Sequence, residues 1–119
     1  MGVYIEERPW GKFEVLYSGF DTKVKRITVN PGHRLSYQYH HKRSERWVVV
    51  SGKGVFTLDD TVIDDVESGD VLNIPVGAKH RIENNGTEPL VFVEVQLGES
   101  FEENDIVRIS DDYSRIKEN

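Results

Sequence analysis

The chain has 119 residues, 37% hydrophobic and 30% charged, with a net charge of −6. One domain with a modest core and a charged surface is expected over residues 1–119, and the acidic balance argues against nucleic acid, whose phosphates need a basic face. The lack of cysteine excludes disulfides, zinc–thiolate sites and cysteine nucleophiles.

That lack suits a reducing cytoplasm, the expected location. Met1 to Trp10 carries Glu6, Glu7 and Arg8 without an apolar run, so no signal peptide is read there. The apolar runs are far shorter than the roughly 20 residues that cross a bilayer, so no membrane partner is expected.

Taken in chain order, the β-rich runs are Phe13–Tyr17, Lys23–Val29, Trp47–Val50, Val55–Leu58, Thr61–Val66, Val71–Ile74 and Leu90–Leu97. Turn signals separate them, among them Asn30-Pro31-Gly32, Ser51-Gly52-Lys53-Gly54, Ser68-Gly69-Asp70 and Pro75-Val76-Gly77. The tail is expected to hold a short strand at Ile106–Ile109 and one helical turn. Strands at this spacing predict an all-β sandwich or barrel. Gly32, Gly52, Gly69 and Gly77 fall where positive φ is expected. Trp47-Val48-Val49-Val50 is apolar on both faces, which predicts a central strand covered on both sides. Trp47 and Phe56 read as core, and Trp10 as packing the N-terminal segment against the barrel or a partner.

Lys25 shares its parity with Ile27 and Val29. A lysine on an apolar face either snorkels to water or points into a pocket. Glu94 shares parity with Leu90, Phe92 and Gln96; it is either a solvated charge on a half-exposed strand or a carboxylate in a site.

All four histidines lie at 33, 40, 41 and 80. Gln38 and His40 are two apart on a predicted strand and point the same way. A turn through His41–Ser44 brings Glu45 back towards them, and His80 needs the barrel to reach them. Nitrogen and oxygen donors of this kind suit a divalent cation, although spacing alone is weak support.

The punctuation around these residues is more specific. Gly32, five residues, Gln38, one, His40, four, Glu45, six and Gly52 resembles the first cupin motif. Gly69, five residues, Pro75, one, Gly77, two, His80, three and Asn84 resembles the second. The departure is Gln38, where most cupins have histidine. The resemblance implies a double-stranded β-helix, or jelly-roll barrel.

A closer resemblance covers about Arg8 to Arg115. Arg8-Pro9-Trp10-Gly11, Leu35-Ser36, Trp47-Val48-Val49-Val50-Ser51-Gly52, His80-Arg81, Glu94-Val95-Gln96 and Asp105-Ile106-Val107-Arg108 are similar to the type II phosphomannose isomerases. These form the C-terminal cupin domain of bifunctional isomerase/guanylyltransferases, so a stand-alone isomerase domain is expected. The resemblance implies one divalent metal, often zinc, held by Gln38, His40, Glu45 and His80. Cobalt, manganese, nickel or iron suit the same donors. It also implies a catalytic arginine in a tyrosine-glycine-arginine context, which here reads Tyr113-Ser114-Arg115. Cupins commonly dimerise, so a homodimer is expected.

The implied reaction interconverts mannose 6-phosphate and fructose 6-phosphate by moving a proton between C2 and C1. A Lewis acid stabilises the enediolate charge, and a base carries the proton. Glu94 is the candidate base and Arg115 the candidate charge stabiliser. Lys25, Ser36 and Arg43 are candidates for the phosphate; Arg81, next to His80, should face the other side and read as structural. Two alternatives stand beside this: a non-catalytic sugar or sugar-phosphate-binding metal cupin, and an Fe(II) dioxygenase built on His40, Glu45 and His80.

Overall fold

The computed structural model describes residues 4–115. These contain eleven strands: β1 Tyr4–Arg8, β2 Gly11–Ser18, β3 Thr22–Val29, β4 Tyr37–Tyr39, β5 Arg43–Ser51, β6 Lys53–Leu58, β7 Thr61–Glu67, β8 Val71–Ile74, β9 His80–Glu83, β10 Leu90–Gly98 and β11 Val107–Ser110. Among the described residues no helix is long and apolar enough to cross a membrane. Two sheets form, in the orders β1-β2-β3-β10-β5-β8 and β11-β4-β9-β6-β7. Each neighbouring pair is antiparallel.

The inward faces of the first sheet form rows that change character along the barrel. Ile27, Phe92 and Val49 are cross-strand neighbours, and Val29 pairs with Leu90. The next row is Lys25, Glu94 and Trp47, and the row beyond is Lys23, Gln96 and Glu45. Because side chains alternate along a strand, each of β3, β5 and β10 is apolar inward at one end and polar inward at the other. The apolar end packs against Phe56, Ile82 and Val66 of the second sheet. Trp47 sits at the junction, stacked on Phe92 at 4.3 Å and edge-on to Phe56 at 5.5 Å. One end of the barrel is therefore a sealed core, and the other is a lined cavity.

Turns at the expected glycines close the barrel. Gly52 has φ +88°, and a Cβ there would lie 2.5 Å from the Pro89 carbonyl oxygen, so both conformation and space demand glycine. Gly77 has φ +79°, and its N–H donates to the carbonyl of His40 at 3.0 Å. That bond ties the loop before His80 to the end of β4.

The structure corrects three expectations. The Trp47–Val50 strand is central, between β10 and β8, but only its inner face is covered. Val48 and Val50 on the outer face are 42% and 45% exposed in the single chain. Among the described residues the tail holds a strand but no helix: residues 111–115 form a turn, and 116–119 lie outside the described residues. His40 lies just past the end of β4 rather than on it. Two further strands carry little apolar signal: β1 is a charged edge strand, and β9 has one apolar residue, Ile82. Trp10 is buried in the core itself.

Candidate metal centre

Three elements deliver His40, Glu45 and His80 to one point at the polar end of the barrel. Glu45 projects inward from β5, His80 opens β9, and His40 follows β4. Each offers one donor atom, all within 4.8 Å of one another, and all three residues are buried. His40 Nε2 lies 3.4 Å from Glu45 Oε2, and His80 Nε2 lies 3.8 Å from Glu45 Oε1. Gln38 is the direct cross-strand partner of His80, so both point into the same cavity.

Backbone carbonyls set the tautomers. His40 Nδ1–H donates to the Asp105 carbonyl at 2.7 Å, and His80 Nδ1–H donates to the Ala78 carbonyl at 2.9 Å. A carbonyl can only accept, so in each neutral ring the Nε2 carries the free lone pair. Burial, the largest influence on both, lowers His80 and pushes His40 down to about 4, so both rings are neutral at pH 7.

The carboxylate is held just as firmly. Trp47 Nε1–H donates to Glu45 Oε1 at 3.0 Å, and Arg43 Nε–H donates to Oε2 at 2.8 Å. Burial disfavours the charged form of Glu45, but the charges that His80 and His40 take up in acid, with that of Arg43, outweigh it and leave the carboxyl below its ordinary value. Arg43 also reaches His40 Nε2 at 3.3 Å. Apart from that long contact, the carboxylate and the two imidazole nitrogens face one another as acceptors. Among the described residues no hydrogen bond reaches His80 Nε2. Converging lone pairs without a shared proton repel, and a cation between them reverses the sign. The donor set and the carbonyl-locked tautomers therefore fit a divalent metal.

The remaining predicted residues lie around the same cavity, which Ser36, Lys25, Arg43, Glu94 and Arg115 all line. Lys25 is 4% exposed, so it points inward rather than snorkelling. Its ammonium donates to both oxygens of Glu103, at 2.9 and 3.1 Å, and lies 4.2 Å from the Phe13 ring centre. Arg43 is spent on Glu45, His40 and the Glu102 carbonyl. Ser36 is 1% exposed, and its hydroxyl has no partner. Arg115 is clamped by Asp111, its Nε and Nη2 donating at 2.8 and 3.0 Å. Arg81 does face away, donating to the Leu35 and Ser110 carbonyls.

Glu94 is no surface carboxylate. It is 5% exposed, beside Lys25 and Trp47, and accepts from the Gln96 amide. Burial, aided by the charge of Glu45, pushes it up to about 8.

Residues 3–111 match the family described as "Mannose-6-phosphate isomerase C-terminal". The chain belongs to that family. It is 46% identical over 111 residues to a mannose-1-phosphate guanylyltransferase of Escherichia coli K12, covering 92% of this chain and 23% of the relative. It thus spans under a quarter of the length of the curated relatives it matches. Among solved structures, the capsular polysaccharide assembling protein CapF of Staphylococcus aureus superposes with a TM-score of 0.77 at 29% identity, over 92% of this chain and 35% of CapF. The Schizosaccharomyces pombe Cnp3 cupin domain superposes at 0.70 with 17% identity, over 73% of this chain and 64% of that one. The fold is the cupin double-stranded β-helix. Arg115 lies beyond the stretch matched to the mannose-6-phosphate isomerase C-terminal family.

Reading the sequence did not single out Asp105 as a support of the site. Besides its carbonyl on His40, its carboxylate accepts from the His41 and Lys42 amides, each at 3.0 Å. It thus anchors the turn between His40 and Glu45. Asp105→Ala should weaken zinc binding about 10–100-fold, as loss of an outer support does; competition with a chromogenic chelator measures this, and unchanged affinity would contradict the anchoring role.

Glu94 moves from an ordinary value of 4.5 to about 8 on folding. The folded state therefore binds more protons across that interval, and stability falls as pH rises through it, by about 1.4 kcal/mol per unit. His40 acts oppositely and only below 6.5, where acid must charge a ring held near 4. Glu94→Gln should flatten the decline in urea midpoint between pH 6.5 and 8. An unaltered slope would argue against the raised carboxyl.

Proposed function

We propose that the protein is a metal-dependent aldose–ketose isomerase that interconverts mannose 6-phosphate and fructose 6-phosphate. The observation that carries this reading is a single dry carboxyl, Glu94, in the same cavity as the His40–Glu45–His80 cluster. The family description and the name of the Escherichia coli relative, which concern mannose phosphates, support the substrate.

His40, Glu45 and His80 would hold the cation, with Gln38 beside them. When bound, it supplies Lewis-acid stabilisation of negative charge on the sugar oxygens. Glu94 moves the carbon-bound proton, taking it from C2 and returning it to C1. A group titrating near neutrality both accepts and donates at working pH. Lys25, its cross-strand neighbour, stabilises the carboxylate when it forms, and the Gln96 amide orients one oxygen. Transfer of the hydroxyl proton from O2 to O1 completes the interconversion. Trp10, Phe13, Ile27 and Leu35 line the rest of the chamber, which keeps water from the reacting carbons. Arg115 lines the same cavity and offers positive charge to the developing oxyanion.

The two-histidine, one-carboxylate cluster by itself favours a second reading, oxygen chemistry at Fe(II). Oxygen uptake by iron-loaded protein in place of isomerisation would establish it.

A coupled assay for fructose 6-phosphate should detect activity that chelation abolishes and zinc or cobalt restores. Glu94→Gln should lower kcat about 10²–10⁴-fold with metal content unchanged. A metal-replete wild type without isomerase activity would overturn the reading.

A further inference from the structure

The cavity has a second chemical pole. β11 is the edge strand beside β4, so Arg108, Gln38 and His80 form one row of cross-strand partners on one face. Adjacent strands lie about 4.8 Å apart, which puts Arg108 two strands, or roughly 10 Å of backbone, from His80. That separation suits a sugar with one end at the metal ligands and the other at the guanidinium.

Two more arginines, Arg8 and Arg115, line the cavity with Arg108. Their charges are partly answered: Arg8 pairs with Glu6 at 2.9 Å, and Arg115 is held by both oxygens of Asp111. Arg108 differs, since no hydrogen bond or ion pair to a described residue holds its guanidinium, and its Nε is buried without an acceptor. Burial and the charge of Arg115 both weigh against its protonated form. A buried charged donor without a partner is costly and calls for an explanation. The Ser36 hydroxyl is a second buried, unpartnered group in the same cavity.

We propose that Arg108, flanked by Arg8 and Arg115, binds the phosphate group of a sugar monophosphate whose carbonyl end lies at the His40–Glu45–His80 cluster. The planar fork of arginine matches two phosphate oxygens, and the dianion supplies the missing acceptors. Lys25 and Arg43, the expected phosphate residues, are committed to Glu103 and Glu45, and this leaves Arg108 as the unspent cation among the described residues that line the cavity. The site rests on the sugar-phosphate reading of the substrate, but its binding test is independent of turnover.

The test is calorimetry on zinc-loaded wild type, Arg108→Met and Arg108→Gln, with mannose 6-phosphate and with inorganic phosphate. Arg26→Ala, on the exposed outer face, is the control. Both Arg108 variants should bind each phosphate ligand at least about tenfold more weakly, the worth of one charge-assisted hydrogen bond, and keep full zinc content. In the isomerase assay KM for mannose 6-phosphate should rise more than kcat falls. Weaker mannose 6-phosphate binding with unchanged inorganic phosphate binding would still place the sugar ester at Arg108 and exclude free phosphate as its ligand. Wild-type affinity for the ester in either zinc-replete variant would overturn the site. A wild type that binds mannose 6-phosphate through Arg108 without isomerising it would keep the site and remove the catalytic reading.

Discussion

The site depends on one buried carboxylate held where two imidazoles present only lone pairs. Glu45 cannot turn away, because the Trp47 indole and the Arg43 guanidinium each grip one oxygen. His40 and His80 cannot rotate to donate to it, because their Nδ1 protons are committed to carbonyls. Burying a carboxylate against two lone pairs is costly. A fold keeps such a cluster of acceptors when a cation can complete it, and the double-stranded β-helix supplies the barrel that brings the three together.

The barrel makes this local frustration tolerable by dividing its interior. The rows Ile27–Phe92–Val49 and Val29–Leu90 seal one end, and Trp47 closes it off from the polar rows above. Trp47 therefore has two jobs: its rings pack on Phe92 and Phe56, and its N–H fixes the Glu45 carboxylate. The same division explains Glu94, which stands one row above the apolar core, dry enough to favour its protonated form and still within the cavity. The candidate ligand cluster, the proposed proton carrier and the proposed phosphate site thus occupy successive positions on two facing sheets.

Much of this was legible in the residues. Alternation exposed the strands and placed Lys25 and Glu94 on inward faces, although parity alone left their burial open. The spacing of Gln38, His40, Glu45 and His80 between turn glycines marked the ligand cluster, because those glycines set where each strand begins and ends. The tail was legible only as a short strand, not in what it touches. Asp105, Glu103 and Arg108 act by folding back across 60 to 80 residues onto His40, Lys25 and Gln38, and no local periodicity encodes such a return. β9 was hidden because one apolar residue makes no pattern. The outer face of β5 read as covered, but hydrophobicity cannot say what lies beyond a sheet, and Val48 and Val50 are exposed in the single chain.

The most direct test is ¹⁵N NMR of the histidine side chains during zinc titration. His40 and His80 should both appear as the Nδ1–H tautomer at neutral pH, with their Nε2 resonances shifting together and saturating at one zinc per chain. Nε2–H tautomers, or Nε2 signals indifferent to zinc, would contradict the metal centre and the chemistry built on it.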